Sequence, residues 1–159
     1  MKTWQLPALF AMCSFGLGNN AMANLTFNGT LIAPPPCTIN GGNNIDIDFL
    51  AVGINAINGQ NYQKPVNFTF SCTASTLPWT MKLSIQGTAT SFDPTAIQTS
   101  VGDLGVRILK DNLPFALNTP VTINPLAPPV LKAVPVKRPG SSPASGGFVA
   151  SATLLAYYQ

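Results

Sequence analysis

Gly146-Gly147-Phe148-Val149-Ala150-Ser151-Ala152-Thr153-Leu154-Leu155-Ala156-Tyr157-Tyr158-Gln159 closes the chain. Phe148, Ala150, Ala152, Leu154, Ala156 and Tyr158 recur at period two, the mark of a strand with one face on a core. No turn, returning strand or polar tail comes after it, so the reading expects a strand whose next neighbour is missing. Near the other end, Leu25, Phe27, Gly29 and Leu31 alternate with Thr26, Asn28 and Thr30, and Pro34-Pro35-Pro36 then cuts this segment off from the body of the chain. One strand is lacking at the end and one is spare at the start. The combination implies a chain that lends its first strand to a neighbour and borrows its own last one.

The first residues place this chemistry outside the cytoplasm. Lys2 gives a short positive start, Leu6 to Gly18 is mostly apolar, and Ala21-Met22-Ala23 supplies small residues for cleavage. This is the layout of a secretory signal peptide over residues 1–23. A membrane span fits worse, because the run falls short of the ~18 to 20 apolar residues required and Pro7, Gly16 and Gly18 interrupt it. Cys13 leaves with the leader, so Cys37 and Cys72 remain, and in an exported chain they most simply form one disulfide. Closing such a loop stabilises by roughly 3 to 4 kcal/mol in the chain-entropy model. A metal site needs about four ligands, which two cysteines and no histidine cannot supply. No cofactor is expected.

Composition narrows the function class. The 159 residues suffice for one domain with a real core. The 8 Lys and Arg are scattered, where a nucleic-acid surface would show a basic stripe. The one adjacent basic pair, Lys137-Arg138, lies beside Pro139 and reads as solvated loop. All 5 acidic residues are aspartates, so with no Glu, no His and no free Cys after cleavage the common acid–base and nucleophile pairings are absent. The reading is therefore not an enzyme and expects no small-molecule substrate. Asp46 and Asp48 share a strand face, and their alternation with Ile45, Ile47 and Phe49 makes that face solvated rather than catalytic. Trp79 is expected to pack in a core rather than stack on a sugar.

Short strands and turns fill the body. Cys37 to Asn40 begins it, and Gly41-Gly42-Asn43-Asn44 turns the chain into a half-buried strand at Ile45 to Phe49. Val52 to Gln60 reads as loop. Val66 to Cys72 and Trp79 to Gln86 alternate clearly, and Gly105–Lys110 with Phe115–Ile123 reads as a hairpin around Asp111-Asn112-Leu113-Pro114. The proline-rich stretch from Pro125 to Ser145 holds at most an edge strand at Val130 to Val136. Strands at this spacing indicate an antiparallel sandwich.

These residues carry a family resemblance. Asn24-Leu-Thr-Phe-Asn-Gly-Thr-Leu-Ile followed by Pro-Cys-Thr-Ile resembles the amino-terminal extension and first cysteine of chaperone–usher pilus subunits. The ending is similar to their carboxy-terminal signature, with Gly146 fourteenth from the end, alternating apolar residues and the penultimate Tyr158. The Cys37 to Cys72 spacing also fits. The resemblance spans the chain after the leader and is closest to minor subunits of P-type pili. It implies an all-β, incomplete immunoglobulin-like β-sandwich over residues 37–159 that lacks its last strand, preceded by a donor-strand extension over 24–36.

In that scheme, a known instance of strand addition, a periplasmic chaperone first fills the groove beside the terminal strand, anchoring the carboxylate at Gln159 and zipping along Gly146 to Tyr158. At the outer-membrane usher, a neighbouring subunit's extension replaces it. Leu25, Phe27 and Leu31 are then anchors, and Gly29 sits where the groove is too shallow for a side chain. Three sequons, at Asn24, Asn28 and Asn67, are expected to carry nothing in a chain with this bacterial resemblance. A rod-building subunit or a tip sugar-binding module are the alternative readings. The second is disfavoured because tip adhesins carry an extra receptor domain and lack a donor extension.

Overall fold

The computed structural model describes residues 22–73 and 79–159. The chain divides into two units, one ending at Ile32 and one running from Ala33 to Gln159. Of the expected leader, residues 1–21 lie outside the described residues. Residues 22–32 carry no strand pairing, and Leu25, Phe27 and Leu31 are exposed.

Among the described residues the second unit has ten antiparallel strands: β1 (Cys37–Ile39), β2 (Lys64–Pro65), β3 (Phe70–Cys72), β4 (Met81–Gln86), β5 (Ala96–Gln98), β6 (Leu104–Lys110), β7 (Leu113–Pro114), β8 (Val121–Ile123), β9 (Leu131–Lys137) and β10 (Thr153–Tyr158). β10, β4 and β8 form one sheet in that order, β2, β9, β6 and β5 form another with β7 on β6, and β1 pairs with β3. The core between them draws Leu83 and Ile85 from β4, Ile97 from β5, Val106 and Ile108 from β6, and Leu131 and Ala133 from β9. This is the all-β sandwich that the alternation implied. Cys37 and Cys72 lie directly opposite each other in the β1–β3 ladder and are joined by a disulfide.

Four expectations are corrected by the ladder pattern. The hairpin at Asp111-Asn112 forms, with both residues at positive φ as a tight two-residue turn requires, but its return arm stays with β6 only through β7 and Phe115. The chain then crosses to the other sheet, where Asn118 donates to the Ile85 carbonyl and β8 pairs with β4. The long partner of β6 is β9, along all seven residues.

β9 is thus an inner strand despite Pro135. The Leu131 carbonyl accepts from the Val66 amide on the β2 side, whereas the Arg138 amide donates to the Asp103 carbonyl on the β6 side. Main-chain groups alternate, so the Pro135 nitrogen faces the β2 side. There β2 has already ended, at Lys64 opposite Ala133, and no ladder bond is lost.

Lys137 is not solvated loop, whereas Arg138 is exposed just past the end of β9. Lys137 closes β9 and its Nζ donates to the Ile54 carbonyl at 3.0 Å, while Arg138 pairs with Asp103 and stacks over Phe92. The strand expected from Val66 to Cys72 stays extended with alternating burial. It divides between sheets: at its start Val66 donates to the Leu131 carbonyl of β9, just past β2, and at its end β3 pairs with β1.

Two local features carry predictions. A Cβ at Gly105 would sit 2.7 Å from Thr90 Cγ2 and 3.2 Å from the Ile97 carbonyl oxygen. Gly105→Ala is expected to cost about 1–3 kcal/mol through overpacking, read as a midpoint several degrees lower in thermal unfolding.

Asp93 accepts from Arg107 Nε at 2.9 Å, from the Thr95 amide at 2.8 Å and from Thr95 Oγ1 at 2.7 Å. Partial burial pushes its carboxyl up, but these hydrogen bonds and the Arg107 charge outweigh it and hold the group below the usual range. A depressed folded value means the contribution is present above the unfolded pKa of about 3.9 and is lost as pH falls through the folded one. The wild-type midpoint should therefore fall more steeply than that of Asp93→Asn below about pH 4, with the two curves parallel at neutral pH.

A candidate strand-acceptor groove

Alternation does not guarantee pairing. Ile45, Ile47 and Phe49 face inward and Asp46 and Asp48 outward, as expected of a half-buried strand, yet residues 45–49 have no ladder partner among the described residues. The terminal segment behaves in the same way. The strand expected from Gly146 onward begins its ladder only at Thr153, because β4 ends at its partner Gln86. Before that, Val149 holds the chain by exchanging hydrogen bonds with Ser100, its carbonyl accepting from the amide and its amide donating to Oγ. Gly146 opens the segment at φ +141°, a conformation that L side chains rarely adopt.

Between these two segments runs an open groove of about 1300 Å³. Ile45, Ile47 and Phe49 line one wall, and Phe148, Ala150, Ala152, Leu154 and Ala156 line the other. Ile85, Ile97, Val106, Ile108, Leu131 and Ala133 form its floor. Phe49 and Phe148 meet across it, ring centroids 6.0 Å apart. Phe148, Leu154 and Ala156 are half-buried, but Ala150 and Ala152 are exposed, contrary to the expectation of a continuously packed face. Their side chains look into the open groove rather than onto a packed layer. Of the residues expected along it, Gly146 lies in the lining, whereas Tyr158 and Gln159 lie outside it.

The hydrogen-bond parity of β10 completes the geometry. Gln159 and Thr80 exchange both main-chain bonds, at 2.8 and 3.3 Å. In an antiparallel ladder such pairs recur every second residue, so Tyr157, Leu155 and Thr153 also bond to β4. The amides and carbonyls of Leu154 and Ala156 then point away from β4, into the groove. The same residues that aim their side chains at the core present free main-chain groups to whatever enters. An apolar trough edged by unpaired N–H and C=O groups is a template for one more β-strand.

The sequence matches the fimbrial protein family over residues 25–159. The chain belongs to the fimbrial protein family. Two relatives of this fimbrial subunit come from Escherichia coli strain K12. The uncharacterized fimbrial-like protein YfcQ is 38% identical, with 92% of this chain and 93% of YfcQ aligned. The similar protein YfcR is 34% identical over 94% of this chain and 89% of its own length. Among solved structures, the P pilus rod subunit PapA superposes with a TM-score of 0.59 at 19% identity, covering 86% of this chain and all of PapA's (100%). The P pilus adaptor subunit PapF gives 0.56 at 19% identity, covering 80% and 98%. These likenesses show a shared pilin fold.

Sequence reasoning named one wall of the groove and missed the rest. The Ile45 to Phe49 wall was visible only as a strand. The floor residues Val106, Ile108, Leu131 and Ala133 belong to β6 and β9, and β9 is apolar and buried on both faces, so it shows no period-two signal.

Proposed function

We propose that this fimbrial subunit polymerises by strand exchange. Its groove accepts a strand from a periplasmic chaperone and then, at the outer-membrane usher, from the extension of a neighbouring subunit, while its own residues 24–32 complete the next subunit. The observation that carries the reading is the groove itself, edged by two extended segments that alternate in burial and yet lack ladder partners. On the donor side, Leu25, Phe27 and Leu31 are exposed apolar residues at period two, and nothing lies within 4 Å of the Cβ position at Gly29. Each of the three large anchors would contribute about 1.5 to 3 kcal/mol on full burial. The exported subunit reaches the cell surface as part of the fimbrium. Its Asn24 to Ile32 extension and the Pro36-Cys37-Thr38-Ile39 entry support a minor role, as adaptor or tip-fibrillum subunit that supports adhesion.

A synthetic peptide of residues 24–33 is expected to bind and stabilise a partner subunit stripped of its extension. Gly29→Leu in that peptide should abolish binding, because a side chain would collide with the groove floor. Asn28→Leu, on the opposite face, should change affinity only a few-fold. Equal tolerance at the two positions refutes the register. Labelling of the subunit on assembled pili would appear at one end or junction for a minor subunit, and along the shaft for a rod subunit.

A further inference from the structure

Three of the aspartates are committed within the fold. Asp93 pairs with Arg107, Asp103 with Arg138 and Asp111 with Lys110. Asp46 and Asp48 are the others; Asp48 accepts from the Leu50 amide at 2.7 Å, and among the described residues no basic group pairs with either. Both are exposed, and both stand on the Ile45 to Phe49 wall of the groove, pointing outward where Ile45, Ile47 and Phe49 point in. On the opposite wall the outward-facing residues are Val149, Ser151, Thr153, Leu155 and Tyr157, none of them Asp, Glu, Lys or Arg. A strand inserted between the walls therefore meets a purely acidic rim along its solvent-facing row.

We infer that this rim selects the incoming strand by charge, and that its best occupant is a strand of a different protein, with Lys or Arg at a solvent-facing position beside Asp46 and Asp48. The inference rests on the strand-acceptor reading of the groove. Directly opposed side chains on neighbouring strands lie about 4.5–5.5 Å apart, and diagonal ones are still within reach of a long cation. Opposite charges there are favourable and like charges directly opposed are unfavourable. The chain's own extension has Thr26, Asn28 and Thr30 on its outward row and no charged side chain from Asn24 to Ile32. A second copy of this chain can thus supply the apolar anchors but no Lys or Arg beside the rim. The groove is matched to a basic donor, and a homopolymer leaves the two aspartates unanswered.

The test folds the full chain in the presence of labelled residue 24–33 peptide and competes that label off with variants. In separate peptides, Thr26, Asn28 and Thr30 are each replaced by Lys or by Asp. At the position nearest the aspartates, the Lys peptide should compete at about three- to tenfold lower concentration than the Asp peptide. The gap should shrink in 0.5 M salt, where the screening length falls to about 4 Å, and close in a chain carrying Asp46→Asn and Asp48→Asn. Equal potency of Lys and Asp peptides at all three positions overturns the inference, as does a gap that persists in the doubly substituted chain. Failure of every peptide, including the unmodified one, overturns the strand-acceptor reading itself and the inference with it.

Discussion

With a copy of residues 24–33 joined behind Gln159 through a short flexible linker, the chain is expected to become a monomer that melts about 10 °C above the unmodified protein. The linker turns strand addition into an intramolecular event at an effective concentration in the millimolar range. For a donor of micromolar affinity that is about 1,000 times the dissociation constant, or about 4 kcal/mol of added stability. In a domain of this size each kcal/mol moves the midpoint by about 2–4 °C. The unmodified chain keeps an apolar trough and unpaired strand edges open to solvent, and should aggregate, self-associate or be digested when expressed without a chaperone. An unmodified chain that is already a monodisperse, protease-resistant monomer with the same midpoint contradicts the account. Scanning calorimetry with light scattering reads both outcomes.

Removal of the disulfide should produce a loss of similar size. Cys37 and Cys72 are 35 residues apart in sequence and opposite each other in the β1–β3 ladder. β1 leads through the turn at Asn40–Gly42 into the Ile45 to Phe49 wall, which has no ladder of its own among the described residues. The bond therefore anchors the start of a segment that is otherwise held by side-chain burial alone. Replacing both cysteines by serine should cost roughly 3 to 4 kcal/mol and lower the midpoint by about 10 °C, with a smaller yield of folded protein from the periplasm. Two free thiols in the native exported protein, measured by thiol titration and intact mass, would contradict the assignment.

The all-β class and the groove's terminal wall were legible because period-two alternation depends only on which face is buried. Phe148, Leu154 and Ala156 obey it, and so do Ile45, Ile47 and Phe49. Pairing was not legible, since alternation is blind to which strand, if any, lies alongside. That is why residues 45–49 read as an ordinary half-buried strand, whereas the terminal strand's missing neighbour was inferred from the chain's flush ending. The β6–β9 ladder was hidden for a different reason. Pro135 argues against an inner strand unless its nitrogen faces a side where the neighbour has ended, and that depends on where β2 stops, a long-range fact. The hairpin at Asp111-Asn112 was visible in its turn residues, but the departure of its return arm to β4 comes from packing across the sandwich. The donor side, Leu25, Phe27, Gly29 and Leu31, was visible for the same reason as the acceptor wall.

The central claim is that β10 has one satisfied edge and one waiting edge, and residue-resolved amide hydrogen exchange tests it most directly. Without a donor, the Leu155 and Tyr157 amides, which face β4, should be protected, while the Leu154 and Ala156 amides, which face the groove, should exchange quickly. Binding of a donor strand should slow Leu154 and Ala156 by about 100-fold or more, as new ladder bonds form. Protection of all four amides before any donor is added, or no change at Leu154 and Ala156 after one binds, would contradict the account.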